Sequence, residues 1–263
     1  MNYELRQYSF GETIGKAFNL YFNNFMILVL ISLLCQMPVV FMFQFAGLLN
    51  LSQGLQPDWP AFLIKMALFG LTGLVVWAFL TAIVINLVAK KFLEASSGSI
   101  AHQTASGLSL ILPVAGLSIL VGLFTWLWTM LFVIPGIIAW LSYSVASAVL
   151  VIERQTIRQS IRRSKFLTKG KRWGIFGLLI VMGIIISLIN QSLVLLLHFC
   201  NLSPGVLVYL DHAVSALTGP IQACLMVVIY FNLRIEKEGF NIEHLARQFS
   251  LAQAGPSGPS LEI

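Results

Sequence analysis

Charge is scarce in this sequence: only 10% of its 263 residues are Asp, Glu, Lys or Arg, against roughly a quarter in ordinary soluble domains. That shortage argues against a water-soluble globular enzyme. Long polar stretches are also missing, and none exceeds about thirty residues, which leaves no room for a soluble catalytic domain of about 100. Cysteine is sparse and odd in number. Cys35, Cys200 and Cys224 lie in or beside apolar runs without zinc-site spacing, so packing is their expected role. His102, His198 and His244 show no HExxH or HxxxH spacing, and Thr168-Lys169-Gly170-Lys171 lacks the upstream Gly and final hydroxyl of a phosphate loop. Asp211, His212 and Ser215 form the only acid, imidazole and hydroxyl cluster, but on a helix 211 and 215 share a face from which 212 points away. Neither a metal, a cofactor nor a catalytic residue is expected.

What the chain has instead is apolar length. Hydrophobic residues make up 58% of it, and about 20 of them in a row suffice to cross a bilayer as a helix. Six such runs lie near 25–49, 61–88, 108–132, 136–152, 173–198 and 212–232. They do not alternate in polarity, as the strands of a membrane β-barrel would. The first run is longer than a signal-peptide core and is not followed by a small-residue cleavage site, so an uncleaved helix is expected there. The fold class is therefore all-α: a polytopic membrane protein with a bundle of six transmembrane helices.

Orientation follows from the basic residues. Arg6 and Lys16 precede the first run, Lys90 and Lys91 follow the second, eight cations crowd 153–172, and Arg234, Lys237 and Arg247 follow the sixth. All fall on one side of a six-span arrangement, and the positive-inside rule places that side, with both termini, in the cytoplasm. Lys65 alone lies towards the far end of a span, from which its stem can snorkel to the interface. The chain then divides into an amphipathic cytoplasmic segment 1–24, a transmembrane domain 25–232, a second cytoplasmic amphipathic segment 233–249 and a disordered Gly/Pro/Ser-rich tail 250–263. Segment 1–24 is expected to lie on the cytoplasmic surface and lead into the first span.

Residues 153–172 carry eight cations and one acid, Glu153. Read as a helix, this stretch aligns Arg154, Arg158, Arg162, Lys165 and Lys169 in one stripe, beside a small and apolar stripe of Ile157, Ser160, Ile161, Ser164 and Thr168. Such a pair of stripes suits the headgroup plane of anionic phospholipids, each cation gaining about 1 kcal/mol there. An acidic protein partner is the other occupant it suits, and topology alone is the plainer role. Aromatic interleaving is absent, so no nucleic acid is expected. Glu153 should find a partner in the same stretch, for example Arg154 or Arg158, because an isolated carboxylate at a membrane-facing helix end is costly.

Within the spans the polar residues are neutral: Gln36, Gln44, Asn86, Asn190, Gln191, Gln222 and Asn232. Amides of this kind usually tie helices together. Gln36, Asn190, Gln191 and Gln222 are also the candidates for one intramembrane polar cluster, since Pro38 and Pro220 should bend their spans and the neighbouring Gln36 and Gln222 could bond the freed carbonyls. A small-residue surface at Ser142, Ser144, Ala146, Ser147 and Ala148 should let another helix, internal or from a second copy, come close.

Several short motifs carry a family likeness: Ile134-Pro135-Gly136-Ile137, Val149 to Glu153, Ser164, Leu167, Lys169-Gly170, Trp173, Tyr230, Leu233-Arg234, Glu238-Gly239, Ile242-Glu243 and Leu245. Together they resemble the bacterial membrane domain found attached to some glycerophosphoryl diester phosphodiesterases, and its stand-alone relatives of unknown function. The resemblance implies six helices in a bacterial inner membrane. It does not imply phosphodiesterase activity, which in fused members belongs to a soluble barrel that has no counterpart here. Asn241 stands where an acidic residue is common in such proteins. The expectation is a non-enzymatic inner-membrane protein of envelope or lipid organisation, contacting phospholipids and a protein partner or a second copy. The alternative is a small transporter or lipid-handling channel with its site between the Pro-bent helices.

Overall fold

The structure, a computed structural model, describes residues 8–45, 59–92, 110–200 and 203–238. Among the described residues there are nine helices and no strand: α1 Phe10–Asn23, α2 Phe25–Phe45, α3 Trp59–Phe92, α4 Ile111–Leu131, α5 Val133–Tyr143, α6 Ala146–Glu153, α7 Ile157–Thr168, α8 Arg172–His198 and α9 Pro204–Glu238. Expectations about the loop 93–107, segment 239–249 and the tail 250–263 lie outside the described residues, as do those about the side chains of Pro38, Gln44 and Lys65.

Among the described residues five helical stretches are long and apolar enough to cross a membrane, or six if α1 and α2, bent by 77° at Asn24, count as one broken span. The chain is thus a helical membrane protein. α4 and α8 carry the case. Only 11% and 17% of their apolar windows are buried in the protein, against 67% for α9, and Leu112, Leu123, Trp126 and Met130 of α4 stand more than half exposed. A face of that size and composition needs lipid against it.

α9 is the central post, packed by α1, α2, α3, α6, α7 and α8. Its Tyr230 and Phe231 are fully buried, and Phe231 stacks on Phe92 at the end of α3 with ring centroids 4.8 Å apart. Beside it α6 is enclosed on every side, with Ala148, Val149 and Leu150 at 0% exposure. Small residues admit the surrounding α3, α4, α7 and α9 closely. The small-residue surface therefore has internal neighbours.

The fourth expected span, 136–152, is two helices. Ser142 and Ser144 turn their hydroxyls back onto the carbonyls of Ile138 and Leu141, and the chain breaks between Tyr143 and Ala146. The turn before it is tight: Phe132 is extended, Pro135 occupies the first turn of α5, and a Cβ on Gly136 would come within 2.7 Å of the Thr129 Cα. Only glycine permits that approach of α5 to α4.

The structure adds detail to two further expectations. The helix that carries the last expected span, α9, runs on to Glu238 and takes in the start of the segment assigned to 233–249. Within segment 8–24, much of the apolar face packs on protein. A capping box between Ser9 and Glu12 starts α1, and the helix then runs antiparallel along α9, from Tyr8 opposite Asn232 to Tyr21 opposite Leu217. Ala17, Leu20 and Tyr21 are buried in that contact. Ile14 and Phe18 are half-buried, and Phe10 and Phe22 stay exposed.

Candidate functional site: a basic helix face and a mid-span cavity

The chain ends α6 at Glu153 and turns sharply through Arg154, whose backbone is left-handed (φ 50°, ψ 38°). Gln159 then accepts bonds from both the N–H and the hydroxyl of Thr156, which starts α7. At the other end Lys169 is extended and Gly170 takes φ 89°. The stripe expected over 153–172 is therefore not continuous. Arg158, Arg162 and Lys165 share the outer face of α7, whereas Arg154 and Lys169 flank it in the turns. All five are exposed, and none forms an ion pair among the described residues. Lys165 lies over the Tyr143 ring, 5.8 Å from its centroid.

The small residues of the neighbouring stripe are buried in protein, while Ile157 and Ile161 are half-buried. Ser160, Ser164 and Thr168 are at 0% exposure. The Ser164 hydroxyl donates to the Ser142 carbonyl at 2.9 Å, and the Ile157 side chain sits over Gly116 of α4. Short hydroxyl side chains suit this because they satisfy a carbonyl left free at the break between α5 and α6 while letting the backbones close up.

Under the same helix lies a polar network that sequence reasoning did not assemble. Glu153 Oε1 accepts from Arg163 Nε at 3.2 Å and from the Tyr230 hydroxyl at 2.8 Å. Arg234 donates to the Tyr230 hydroxyl at 3.0 Å and to Glu238 at 3.0 Å, and Arg163 also pairs with Glu238. Two guanidinium groups and two carboxylates thus close a neutral ring around one phenol, joining α6, α7 and α9. Burial alone would lower the Arg163 pKa, but the carboxylates of Glu153 and Glu238 outweigh it and hold the group above its ordinary value. Glu153 does find a basic partner in the 153–172 stretch, but it is Arg163 and not Arg154 or Arg158. The readable signal was the four-residue ladder Tyr230, Arg234, Glu238, which places a hydroxyl, a cation and an acid on one helix face.

Nearby, Lys171 pairs with Glu236 at 2.6 Å, and Asn232 bonds both backbone groups of Tyr8. These contacts gather the start of α1, the start of α8 and the end of α9 at one end of the bundle. The end of α3 joins them through Phe92.

A second feature lies halfway along the spans. A cavity of about 380 Å³ is lined by α2, α3, α4, α5, α6 and α9, with both Gln36 and Gln222 in its wall. The other two members of the expected polar cluster are elsewhere. Asn190 on α8 accepts from the Thr218 hydroxyl at 2.8 Å and so ties α8 to α9. Gln191 is exposed. The cluster therefore divides, because residues adjacent in sequence on α8 face away from the side on which α2 packs. Gln36 and Gln222 do not re-bond the turns opened by their prolines either, since neither side chain has a hydrogen bond among the described residues. In the turn before Pro220 it is Tyr21, from α1, that donates to the Leu217 carbonyl at 2.6 Å.

The chain matches no family model, no curated protein and no solved structure.

Proposed function

We propose that this is a non-enzymatic membrane protein of lipid or envelope organisation, which holds anionic phospholipid headgroups at the cytoplasmic leaflet through the outer face of α7. The observation behind this reading is the division of labour between arginines on one helix. Arg163 is committed inward to Glu153 and Glu238, whereas Arg158 and Arg162, with Arg154 and the lysines Lys165 and Lys169, stand exposed without a carboxylate partner among the described residues. α7 is pinned by its buried hydroxyls and by Arg163, so its cations are displayed in a set geometry rather than on a loose loop. Near an anionic surface each contributes about 1 kcal/mol. With that end of the bundle in the cytoplasm, a bacterial inner membrane is the location the charge distribution and the motif likeness favour.

The test uses the whole protein in nanodiscs of mixed phosphatidylglycerol and phosphatidylcholine. Native mass spectrometry should show phosphatidylglycerol retained in preference, with the preference lost in an Arg158→Gln, Arg162→Gln, Lys165→Gln variant and weakened by salt. Equal retention by wild type and variant would remove the proposal. A second reading, a small transporter or lipid-handling channel, draws on the cavity at Gln36 and Gln222, and requires flux across proteoliposomes that the protein alone supports.

A further inference from the structure

We propose that the mid-span cavity is a binding site for an uncharged lipid carrying ester and hydroxyl groups at one end, of the diacylglycerol class. The inference is independent of the headgroup surface on α7 and rests on where unspent hydrogen-bonding groups lie.

Most hydroxyls on the membrane helices are bonded back to their own turn: Thr72 to the Leu68 carbonyl, Ser118 to Val114, Thr129 to Thr125, Ser142 to Ile138 and Ser192 to Leu188. Thr125, Ser187 and Ser215, scattered over α4, α8 and α9, are exceptions unbonded among the described residues and away from any common place; Ser32, Thr81 and Ser147 are exceptions of another kind. None has a hydrogen bond among the described residues, and neither do the amides of Gln36 and Gln222. All five line the same cavity. Ser32 does so from a position only 1% exposed. They come from four helices, so their convergence is a property of the packing and not of one stretch of chain.

Depth and entrance narrow the ligand. Thr81 lies within the span Thr72–Phe92, Ser147 within Val133–Glu153 and Gln222 within Gly205–Glu238, each well inside its ends. Polar groups at such depth need partners, because lipid tails supply none. Trp77 on α3 and Trp140 on α5 belong to the cavity wall and are also 57% and 41% exposed, so the cavity reaches the lipid-facing surface between those helices. A ligand can enter sideways from the bilayer.

Chemistry narrows it further. Among the described residues no charged side chain lines the cavity, which disfavours a phosphate or carboxylate headgroup, since nothing there would offset its desolvation. Three hydroxyls and two carboxamides can donate to ester carbonyls and accept from a free hydroxyl. The remaining wall is apolar, including Ile85, Leu117 and Met226. A volume of about 380 Å³ lies at the small end of ligand sites, which run from about 300 to 1,000 Å³. It accommodates the glycerol ester end of one lipid, with the chains leaving past the two tryptophans.

The experiment uses the full-length protein in nanodiscs with photoactivatable analogues of matched chain length: a diacylglycerol, a phosphatidic acid and a plain alkane. The diacylglycerol probe should label peptides containing Trp77, Trp140 or Gln222, and excess unlabelled dioleoylglycerol should suppress that labelling. Gln222→Leu and Ser147→Ala should each reduce it about fivefold to tenfold, the loss expected for one hydrogen bond to a buried group, while labelling of the outer face of α8 stays unchanged. Equal labelling by the phosphatidic acid or alkane probe, or no suppression by dioleoylglycerol, overturns the proposal on wild-type protein alone. Unchanged labelling in both variants, each still eluting as folded protein, overturns it as well.

Discussion

Asn232 holds the backbone of Tyr8 with both atoms of its amide: Oδ1 accepts from the Tyr8 N–H at 2.9 Å and Nδ2 donates to the Tyr8 carbonyl at 3.2 Å. This is the pairing one strand offers another, made here by a side chain to a residue 224 positions away. It fastens the entry of α1 to the central helix before the capping box at Ser9 begins. Asn232→Leu removes both bonds and leaves two backbone groups in a half-buried place, so we expect a loss of about 1–3 kcal/mol. The checks are thermal unfolding in detergent and faster proteolysis ahead of Phe10, with Asn232→Asp, which keeps only the acceptor, falling in between.

Arginines on α7 should differ by position and not by type. Arg163→Met strips Glu153 and Glu238 of a shared cation, and leaving buried charge uncompensated costs about 3–5 kcal/mol. Arg158→Met and Arg162→Met, on the exposed face, should stay within about 0.5 kcal/mol. Chemical or thermal unfolding of the three variants in one detergent would expose an error here if all shifted alike.

Tyr230 bridges Glu153 and Arg234 through one hydroxyl. Tyr230→Phe keeps the stack of neighbouring rings and deletes only that bridge, at a cost of about 1–3 kcal/mol. Combined with Arg163→Met its effect should not simply add, because both act on Glu153. A double-mutant cycle measures this, and strict additivity would mean the ring of charges is not one unit.

Gly136 and Gly122 make a matched pair. A Cβ at Gly136 meets the backbone of Thr129, whereas one at Gly122 meets nothing within 4 Å. Gly136→Ala should prise α5 from α4 and sharply lower the yield of folded protein. Gly122→Ala should be neutral or stabilising by up to about 1 kcal/mol. Yield after size-exclusion chromatography distinguishes them, and equal behaviour would contradict the close approach.

Sidedness has a built-in reporter. Cys200 is exposed just beyond α8, one full apolar helix away from α7. A membrane-impermeant maleimide applied to intact cells should label Cys200, whereas in a Cys200→Ser background a cysteine replacing Arg158 should react only after the membrane is opened. Labelling of both from outside would overturn the assignment of α7 to the cytoplasm.

The sequence by itself determined that this is a helical membrane protein and roughly where its long helices lie. Apolar length is a local quantity: α3 and α8 fall where their runs predict, at Trp59–Phe92 and Arg172–His198, because a backbone in lipid must bond within itself. Clustering of cations near 153–172 is equally local and was legible for the same reason. What the tertiary structure decided is which side of each helix meets which neighbour. Periodicity marked Ser160, Ser164 and Thr168 as a stripe, but could not say that α5, and not headgroups, would cover it. It left Arg163 off the basic stripe without showing that Glu153, Tyr230 and Glu238 would surround it. It grouped Gln36, Asn190, Gln191 and Gln222 by polarity, whereas packing brought Gln36 and Gln222 to one cavity and sent the other two away. A helix's own spacing fixes the angles between its side chains, but the partner at each angle depends on how the helices cross, and that is set by close contacts such as Gly136 on Thr129, summed over the whole bundle.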